Sequence, residues 1–257
     1  MEQKPFISVI IPTYNEAPKE KEMEEHLISI KNYFEKIGKS YEVVIVLDGP
    51  TDNTPEIVKE KIKDKPNFWV IDRKENHGKG YSIREGFAGA RGEWRIWTDM
   101  DGATPINNLD KFIPEFEKAD VVIGSRDLKA SAIQKHQPKW KEWLGNAGNI
   151  LIQVMTGLYG IYDTQCGFKA FKEEVVKEVF PRTKVDRWGI DFEILMIANK
   201  LGYKISEVPV VWLDMGYSLV GMKGYFITLR ELFKVWWNKV RGVYQLKKKI
   251  SEIHPVK

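Results

Sequence analysis

Cysteine is almost absent from the chain, which has Cys166 alone among 257 residues. One cysteine excludes an intramolecular disulfide, and such low use is typical of a reducing compartment. The N-terminal stretch MEQKPFISVI places an acid and a lysine before a short apolar run that meets Pro12. That pattern is typical of neither a secretory signal nor a transit peptide. We therefore expect a protein that depends on a packed core in a reducing environment.

A strong charge of one sign is also lacking. The net charge is +4, from 40 basic and 36 acidic residues, and the sequence pI is about 8.8. This balance is too mild to indicate a nucleic-acid partner, and we expect none.

Long hydrophobic runs are missing too. The longest uncharged run, residues 143–162, is about the length of a membrane span. It contains Asn146, Asn149, Gln153 and four glycines, so we expect a helix that is buried or lies at a surface.

Strand-like and helix-like segments alternate through the first half of the chain. The 43% of hydrophobic residues are enough to fill a sizeable core. The predicted strands are FISVII, YEVVIVLD, NFWVID, EWRIWTD and DVVIGSR, with helical patterns between them. The second half adds the strands CGFKAF and KISEVPVVWL and the helices KEEVVKEVF and DFEILMIANKLG. This alternation predicts an α/β fold with a mostly parallel sheet, whose ligands bind beyond the carboxyl ends of the strands.

The C-terminal part has a different pattern. A long amphipathic helix is predicted from Tyr225 to about Ile250, with an apolar face of Leu229, Leu232, Phe233, Trp236, Val240 and Val243. We divide the chain into residues 1–223 and a basic helix and tail at 224–257. The tryptophans at 236 and 237 either face a core or lie on a lipid surface beside Arg241 and Lys247–Lys249, and we favour the lipid surface.

Two aspartates follow the predicted fourth strand, in TDMDGATP. Asp99 and Asp101 either cap the turn at Gly102 or hold a hard divalent cation through their carboxylate oxygens. Mg²⁺ or Mn²⁺ would complete its coordination with water and substrate phosphate oxygens. The acid pair alone leaves both interpretations open.

Other polar residues occur at the same predicted edge. Asp48 ends the second strand, and turn and helix-start chemistry explains its neighbour Asp52 but not Asp48 itself. Lys79 lies between two glycines at a helix start, which suits either an anion or a solvated loop. Arg126 ends the fifth strand, where a guanidinium suits phosphate. Together these residues indicate a metal with a nucleotide diphosphate, beside a separate anion pocket.

The motifs SVIIPTYNE, VLDGPTDNT, NHGKG, TDMDGATP and VIGSR resemble those of the inverting family 2 glycosyltransferases, which have the GT-A fold. Three others, DTQCGFKAF, RWGIDFEIL and ISEVPVVW, resemble the dolichyl-phosphate β-glucosyltransferases and, more loosely, the dolichyl-phosphate mannose synthases. The likeness extends from about Ile7 to Trp237. The early motifs are shared by many sugar transferases, whereas DTQCGFK and RWGIDFE are much more specific.

The resemblance implies a role for each site residue. The nucleotide sugar would be held by Pro12, Tyr14, Glu16, Asp48, Lys79, Asp99 and Asp101. Asp101 would be the principal metal ligand and Asp99 the supporting one. The acceptor would be bound by Arg126, Lys139, Lys141 and Gln165.

Two residues depart from the family pattern. Leu47 stands where the family usually has a first aspartate, so only Asp48 is left to bind the base. Ala103 stands where mannose synthases carry a glutamine, which favours UDP-glucose over GDP-mannose as the donor.

The implied activity is inverting transfer of a hexose to a polyprenyl or dolichyl phosphate, on the cytosolic face of a membrane. A lipid monophosphate is largely dianionic near neutral pH, since its second pKa is about 6, and it needs no general base. A soluble transferase to a sugar hydroxyl would need one. Asp191 is the candidate for that base, or else a helix-start carboxylate favoured by the helix dipole.

Overall fold

The computed structural model describes residues 4–133, 139–213 and 222–246. Its main sheet has seven strands, which are β1 (Ile7–Thr13), β2 (Tyr41–Asp48), β3 (Phe68–Arg73), β4 (Trp94–Trp97), β5 (Val121–Ser125), β7 (Lys169–Lys172) and β8 (Ile205–Pro209). Their order across the sheet is β3-β2-β1-β4-β7-β5-β8. A small parallel pair is formed by β6 (Ala132–Ile133) and β9 (Val211–Trp212).

Helices connect the strands and cover both faces of the sheet. They are α1 (Glu20–Ile37), α2 (Thr54–Ile62), α3 (Lys79–Gly89), α4 (Leu109–Phe112), α5 (Lys139–Thr156), α6 (Glu173–Val179), α7 (Ile190–Leu201) and α8 (Met222–Val240). Short 3₁₀ helices lie at Ala17–Lys19, Ile106–Asn108, Ile113–Glu115 and Phe180–Arg182.

The direction of β7 determines which loops reach the site. The neighbouring pairs among β1 to β4 are parallel, as are β5 and β8, whereas β7 runs antiparallel between β4 and β5. Lys169, the first residue of β7, is opposite Trp97, the last residue of β4. The segment before β7 therefore lies at the same edge as the carboxyl ends of the parallel strands.

Alternating residues of the central strands build two cores. Ile7, Val9 and Ile11 of β1 point toward α1 and α2, whereas Ile10 points toward the opposite layer of α3 and α7. Leu47 is fully buried on the α1 side. Near-continuous apolar runs are typical of strands covered on both faces, which explains why the sequence pattern located them.

The helix predicted after the fourth strand is shorter than its pattern suggested. Residues 106–115 form two 3₁₀ turns around α4. Pro114 lacks a backbone N–H, so it cannot continue the hydrogen-bond ladder of an α-helix.

The C-terminal helix also differs from its prediction. Helix α8 ends at Val240, and Gly242 follows with a φ of 70°, where the predicted helix continued to about Ile250. Val235 and Tyr244 are buried in the same core as α3 and α7. The division at residue 223 stays a prediction, but α8 packs on the layer of α3 and α7 rather than standing apart from it.

One side of α8 is apolar and exposed. Phe226 is 71% exposed, Phe233 52% and Trp237 53%. Of the predicted apolar face, Leu232 alone is buried, whereas Leu229, Trp236, Val240 and Val243 are at least 38% exposed. None of the helices in the described ranges has the length and apolar character of a membrane span.

Candidate active site

The strand ends bring the predicted polar residues to one edge of the sheet. Asp48 ends β2, and Asp99 follows β4 by two residues. Because β1 pairs in parallel with both β2 and β4, its own carboxyl end lies between theirs. Arg126 directly follows β5, two strands farther along. The edge is therefore divided into a β1/β2/β4 half and a β5/β7 half.

Residues after β1 form the first wall of that edge. Pro12 lies within β1, and Tyr14 is 41% exposed. The backbone N–H of Glu16 donates to Oγ1 of the buried Thr54 at 2.8 Å. Burial raises the pKa of Glu16, and its partner Lys19, 3.0 Å away, opposes that rise. Tyr14 is thus accessible to a ligand, while Glu16 is anchored.

Asp48 is tied to the loop that precedes α3. Its carboxylate accepts from the backbone N–H groups of His77 and Gly78, both at 2.8 Å, and from the guanidinium of Arg73. The sequence left Asp48 without a local partner, and the fold supplies three. Its binding of the base stays a prediction, whereas its contacts show that it orders the loop leading to Lys79.

Lys79 and Asp99 form an ion pair, with Lys79 Nζ 2.5 Å from Asp99 Oδ1. Burial would lower the pKa of Lys79, but the charges of Asp99 and Asp191 outweigh it and raise that pKa. Gly167 packs directly on the carboxylate, and a Cβ at that position would collide with Asp99 Oδ2. Lys79 is therefore a fixed cation beside the acid pair.

Asp101 lies in the turn after Asp99. Its Oδ1 accepts from the backbone N–H of Ala103 at 3.0 Å. Asp101 therefore caps the turn, as one of the two interpretations of the sequence proposed. Burial, then the nearby charge of Asp99, raises the pKa of Asp101. A cation would relieve both effects.

The donor atoms of this pair fit a divalent cation. Asp99 and Asp101 supply hard carboxylate oxygens, which suit Mg²⁺ and Mn²⁺, and substrate phosphate oxygens commonly complete such sites. In the described ranges, no set of three or more His, Cys, Asp and Glu side chains is grouped to hold a metal. Substrate and water would therefore have to provide the remaining ligands.

Asp191 is buried in the first turn of α7 and is bound by Lys169. Lys169 Nζ is fully buried with it and also donates to the carbonyl oxygen of Cys166 at 2.6 Å. Burial raises the pKa of Asp191, although the charges of Lys169 and Lys79 pull it down. The Asp191 carboxylate is therefore engaged in a buried ion pair with the first residue of β7.

The Arg126 side chain is held by two hydrogen bonds to the carboxylate of Asp163. Its Nε donates to Oδ2 at 2.7 Å and its Nη2 to Oδ1 at 3.0 Å. Burial would raise the pKa of Asp163, but Arg126 holds it below the usual value. Glu207 of β8 accepts from the backbone N–H of Asp163 at 2.8 Å. The guanidinium is thus oriented by a carboxylate that is itself fixed.

The structure places the other predicted acceptor residues less completely. The backbone N–H of Gln165 donates to Asp163 Oδ1 at 3.1 Å, and its side chain is exposed. Lys139 and Lys141 belong to the first turn of α5, and their side chains lie outside the described residues. Their contact with an acceptor stays a prediction.

Sequence reasoning missed several residues that complete this edge. Asp163, Gly167 and Lys169 all belong to the motif DTQCGFK, and Glu207 belongs to ISEVPVVW. These were the motifs with the more specific resemblance. In the structure, Asp163 binds Arg126, Gly167 packs on Asp99, and Lys169 binds Asp191.

The chain belongs to glycosyltransferase family 2, whose model matches residues 8–180. It is 37% identical over 238 residues to the dolichyl-phosphate beta-glucosyltransferase ALG5A of Trichomonas vaginalis, covering 90% of this chain and 72% of the relative. It is 32% identical over 264 residues to the dolichyl-phosphate beta-glucosyltransferase of Saccharomyces cerevisiae, covering 95% and 78%.

Comparison of structures gives the same class of fold. Glucosyl-3-phosphoglycerate synthase of Mycobacterium tuberculosis, solved with Mn²⁺, UDP and glucosyl-3-phosphoglycerate, aligns with a TM-score of 0.65. The alignment covers 91% of this chain and 80% of that one at 16% identity. The expected GT-A fold and the membership of a glycosyltransferase family are confirmed.

Proposed function

We propose that the protein transfers glucose from UDP-glucose to dolichyl or another polyprenyl phosphate, with inversion at the anomeric carbon. The observation that carries the proposal is that one edge of the sheet has two halves. One half contains the acid pair with Lys79, and the other contains Arg126, which is held by the carboxylate of Asp163. Relatives matched over nine-tenths of the chain are named for this reaction, which supports glucose as the sugar and a lipid phosphate as the acceptor.

The donor half suits a nucleotide diphosphate. Asp101 and Asp99 would hold Mg²⁺ or Mn²⁺, which when bound neutralises charge on the departing diphosphate. Lys79, fixed by Asp99 at 2.5 Å, adds positive charge at the same end. The exposed Tyr14 and the loop tied by Asp48 flank the space predicted for the nucleoside.

The acceptor half suits a phosphate. A dianionic lipid phosphate attacks the anomeric carbon in line without giving up a proton, so the protein has to orient it and screen its charge. Arg126 presents a planar guanidinium for that purpose, with Gln165, Lys139 and Lys141 as the further predicted contacts. A single displacement inverts the anomeric centre.

The pairing of Asp191 with Lys169 favours this acceptor over a sugar hydroxyl. A general base has to reach the proton that it removes, and the Asp191 carboxylate is buried against a lysine. If a hydroxyl were the acceptor, Asp191→Asn would lower kcat by about a hundredfold or more, and the residual rate would lose the acidic limb of the pH–rate profile. With a phosphate acceptor, that limb persists in the variant.

We also propose that the exposed apolar side of α8 contacts the cytosolic surface of the membrane that holds the acceptor. Phe226, Phe233 and Trp237 supply aromatic surface to an interfacial helix. Deleting α8 would open the core, because Val235 and Tyr244 are buried. Replacing the three aromatic residues by serine is the sharper test: binding to anionic vesicles should fall while the melting temperature holds, and unchanged binding would contradict the contact.

A partition assay tests the reaction itself. The protein is incubated with polyprenyl phosphate, Mn²⁺ and, in separate tubes, labelled UDP-glucose, GDP-mannose and other nucleotide sugars. We expect label from UDP-glucose in the organic phase. Label from GDP-mannose would identify the mannosyl alternative, and label that reaches only water-soluble saccharides would identify a hydroxyl acceptor.

A further inference from the structure

Residues 186–189, which we name the bridging segment, join the donor site to α8. On one side, the backbone N–H of Tyr81 in α3 donates to the carbonyl oxygen of Asp186 at 3.1 Å. On the other side, the carboxylate of Glu231 in α8 accepts from the N–H of Arg187 at 3.2 Å and of Gly189 at 2.7 Å. The segment is therefore hydrogen-bonded to two helices that do not adjoin in sequence.

Glycines allow the bridging segment to approach both helices closely. A Cβ on Gly80 would lie 2.9 Å from the carbonyl oxygen of Arg187, and a Cβ on Gly78 would lie 2.5 Å from that of Asp186. A Cβ on Gly189 would lie 2.8 Å from the Cβ of Glu231. A side chain therefore has no room at any of these three positions, so the segment packs closely on both helices and a displacement of it would disturb the residues packed on it.

Lys79 lies between the two glycines that contact the bridging segment. Its Nζ is 2.5 Å from Asp99 Oδ1 and 5.9 Å from the ring centroid of Trp188, which belongs to the segment. The backbone on both sides of Lys79 and one neighbour of its ammonium group therefore depend on where the segment lies.

Glu231 is suited to hold the segment. Gly189 precedes α7, and its N–H belongs to the helix end that has no partner within the helix. A carboxylate there satisfies the amide and is favoured by the helix dipole. Burial raises the pKa of Glu231, and the two amides oppose that rise, since they stabilise its charged form.

We propose that Glu231 is a positioning residue of the donor site, which sets the place of Lys79 beside Asp99 through the bridging segment. The inference rests on the proposed function, because it assigns Lys79 to the diphosphate of the donor. It assigns α8 a second role besides the lipid contact.

The test compares Glu231→Ala, Glu231→Gln and the control Lys239→Ala. Lys239 lies on the same helix, but its Nζ binds the carbonyl oxygens of Met155 and Thr156, at the end of α5. We expect Glu231→Ala to raise the KM for UDP-glucose and the Kd for UDP with Mn²⁺ by about tenfold, the effect of losing a hydrogen bond to a charged group. Glu231→Gln keeps one accepting oxygen and should recover most of that affinity, and Lys239→Ala should match the wild type.

Melting curves identify the folded variants. If Glu231→Ala does not fold, the donor KM and UDP affinity of Glu231→Gln test the role of Glu231. Unchanged donor KM and UDP affinity in the folded Glu231 variants would overturn the inference, as would an equal change in Lys239→Ala. A kcat loss with constant KM would also overturn it.

If the wild type transfers no glucose yet binds UDP or GDP, the proposed function fails alone, and the Kd comparison still decides the role of Glu231. If it binds neither nucleotide, both fail.

Discussion

Gly167 packs directly on the carboxylate of Asp99. Gly167 precedes β7 and Asp99 follows β4, and because these strands are antiparallel neighbours both residues lie at the same edge of the sheet. The glycine leaves the room in which the Asp99 carboxylate sits and pairs with Lys79. The motif CGFK, which leads into β7, therefore also contacts the predicted donor half through Gly167.

Replacing Gly167 by alanine should weaken donor binding. The new methyl group would displace Asp99 from Lys79, so the KM for the nucleotide sugar should rise by about tenfold, equivalent to roughly 1.4 kcal/mol. Gly148→Ala is the matched control, because a Cβ at Gly148 meets no described atom within 4 Å apart from its chain neighbours and the backbone of its own helix. Equal donor KM values in the two variants would contradict the contact.

Asp101→Asn should remove cation-dependent nucleotide binding. The amide oxygen can still accept from the Ala103 N–H, so the turn is preserved while the charge is lost. Titration calorimetry with UDP, with Mn²⁺ and with EDTA, measures the effect, and the exposed Asp64→Asn serves as the control. Affinity in Asp101→Asn that still depends on Mn²⁺ as in the wild type would show that the metal lies elsewhere.

Arg126→Lys should raise the KM for the lipid phosphate by about tenfold or more and leave the donor KM unchanged. Lysine keeps the charge but not the planar fork that Asp163 holds through two bonds. Steady-state kinetics with each substrate varied in turn separates the two constants. Arg182→Lys controls for a general effect, since Arg182 pairs with Glu178 one helical turn away. A rise in donor KM alone would assign Arg126 to the other half.

Asp191→Asn should destabilise the fold by about 3 kcal/mol, because it leaves the fully buried Lys169 ammonium without its carboxylate. Adding Lys169→Met should recover most of that loss, since methionine fills the space beside Trp97 without a charge. Urea unfolding of both single variants and the double variant gives the coupling free energy. Additive effects would show that the two side chains do not stabilise each other.

Glu193 should make stability depend on pH. Burial raises its pKa to about 7, against the opposing hydrogen bonds from Tyr244, Lys184 and Val185. Between the unfolded pKa near 4.5 and the folded value near 7, the folded protein binds more protons than the unfolded chain, so stability falls as pH rises through that window. Glu193→Gln should remove a slope of at most about 1.4 kcal/mol per pH unit. Parallel curves of unfolding free energy for wild type and variant, from pH 5 to 8, would contradict it.

Much of the fold could be predicted from local pattern. The five early strands and their carboxyl edge follow from apolar runs such as YEVVIVLD, bounded by turn residues. The direction of β7 could not, since CGFKAF has the same appearance in either direction. The end of α8 was also missed, because the apolar spacing continues to Val243 while Gly242 takes a left-handed conformation.

The candidate site was predictable in its residue types but not in its pairs. Asp48 and Arg126 stood out at strand ends, yet their partners Arg73 and Asp163 lie 25 and 37 residues away. Only the packing of the sheet brings them together. The roles of the individual residues stay predictions, whereas their common location is observed.

The strand order also has a consequence for the time course of folding. β1 to β4 pair with one another within the first 97 residues, so this part of the sheet depends on contacts that a growing chain completes early. Among the described residues, the neighbours of β5 in the sheet are β7 and β8, so β5 cannot pair before residues 169–209 are present. Contacts between distant segments form slowly because the intervening loop loses entropy on closure. The strands that lead to Asp48 and Asp99 should therefore pair with each other before β5, which leads to Arg126, takes its place in the sheet.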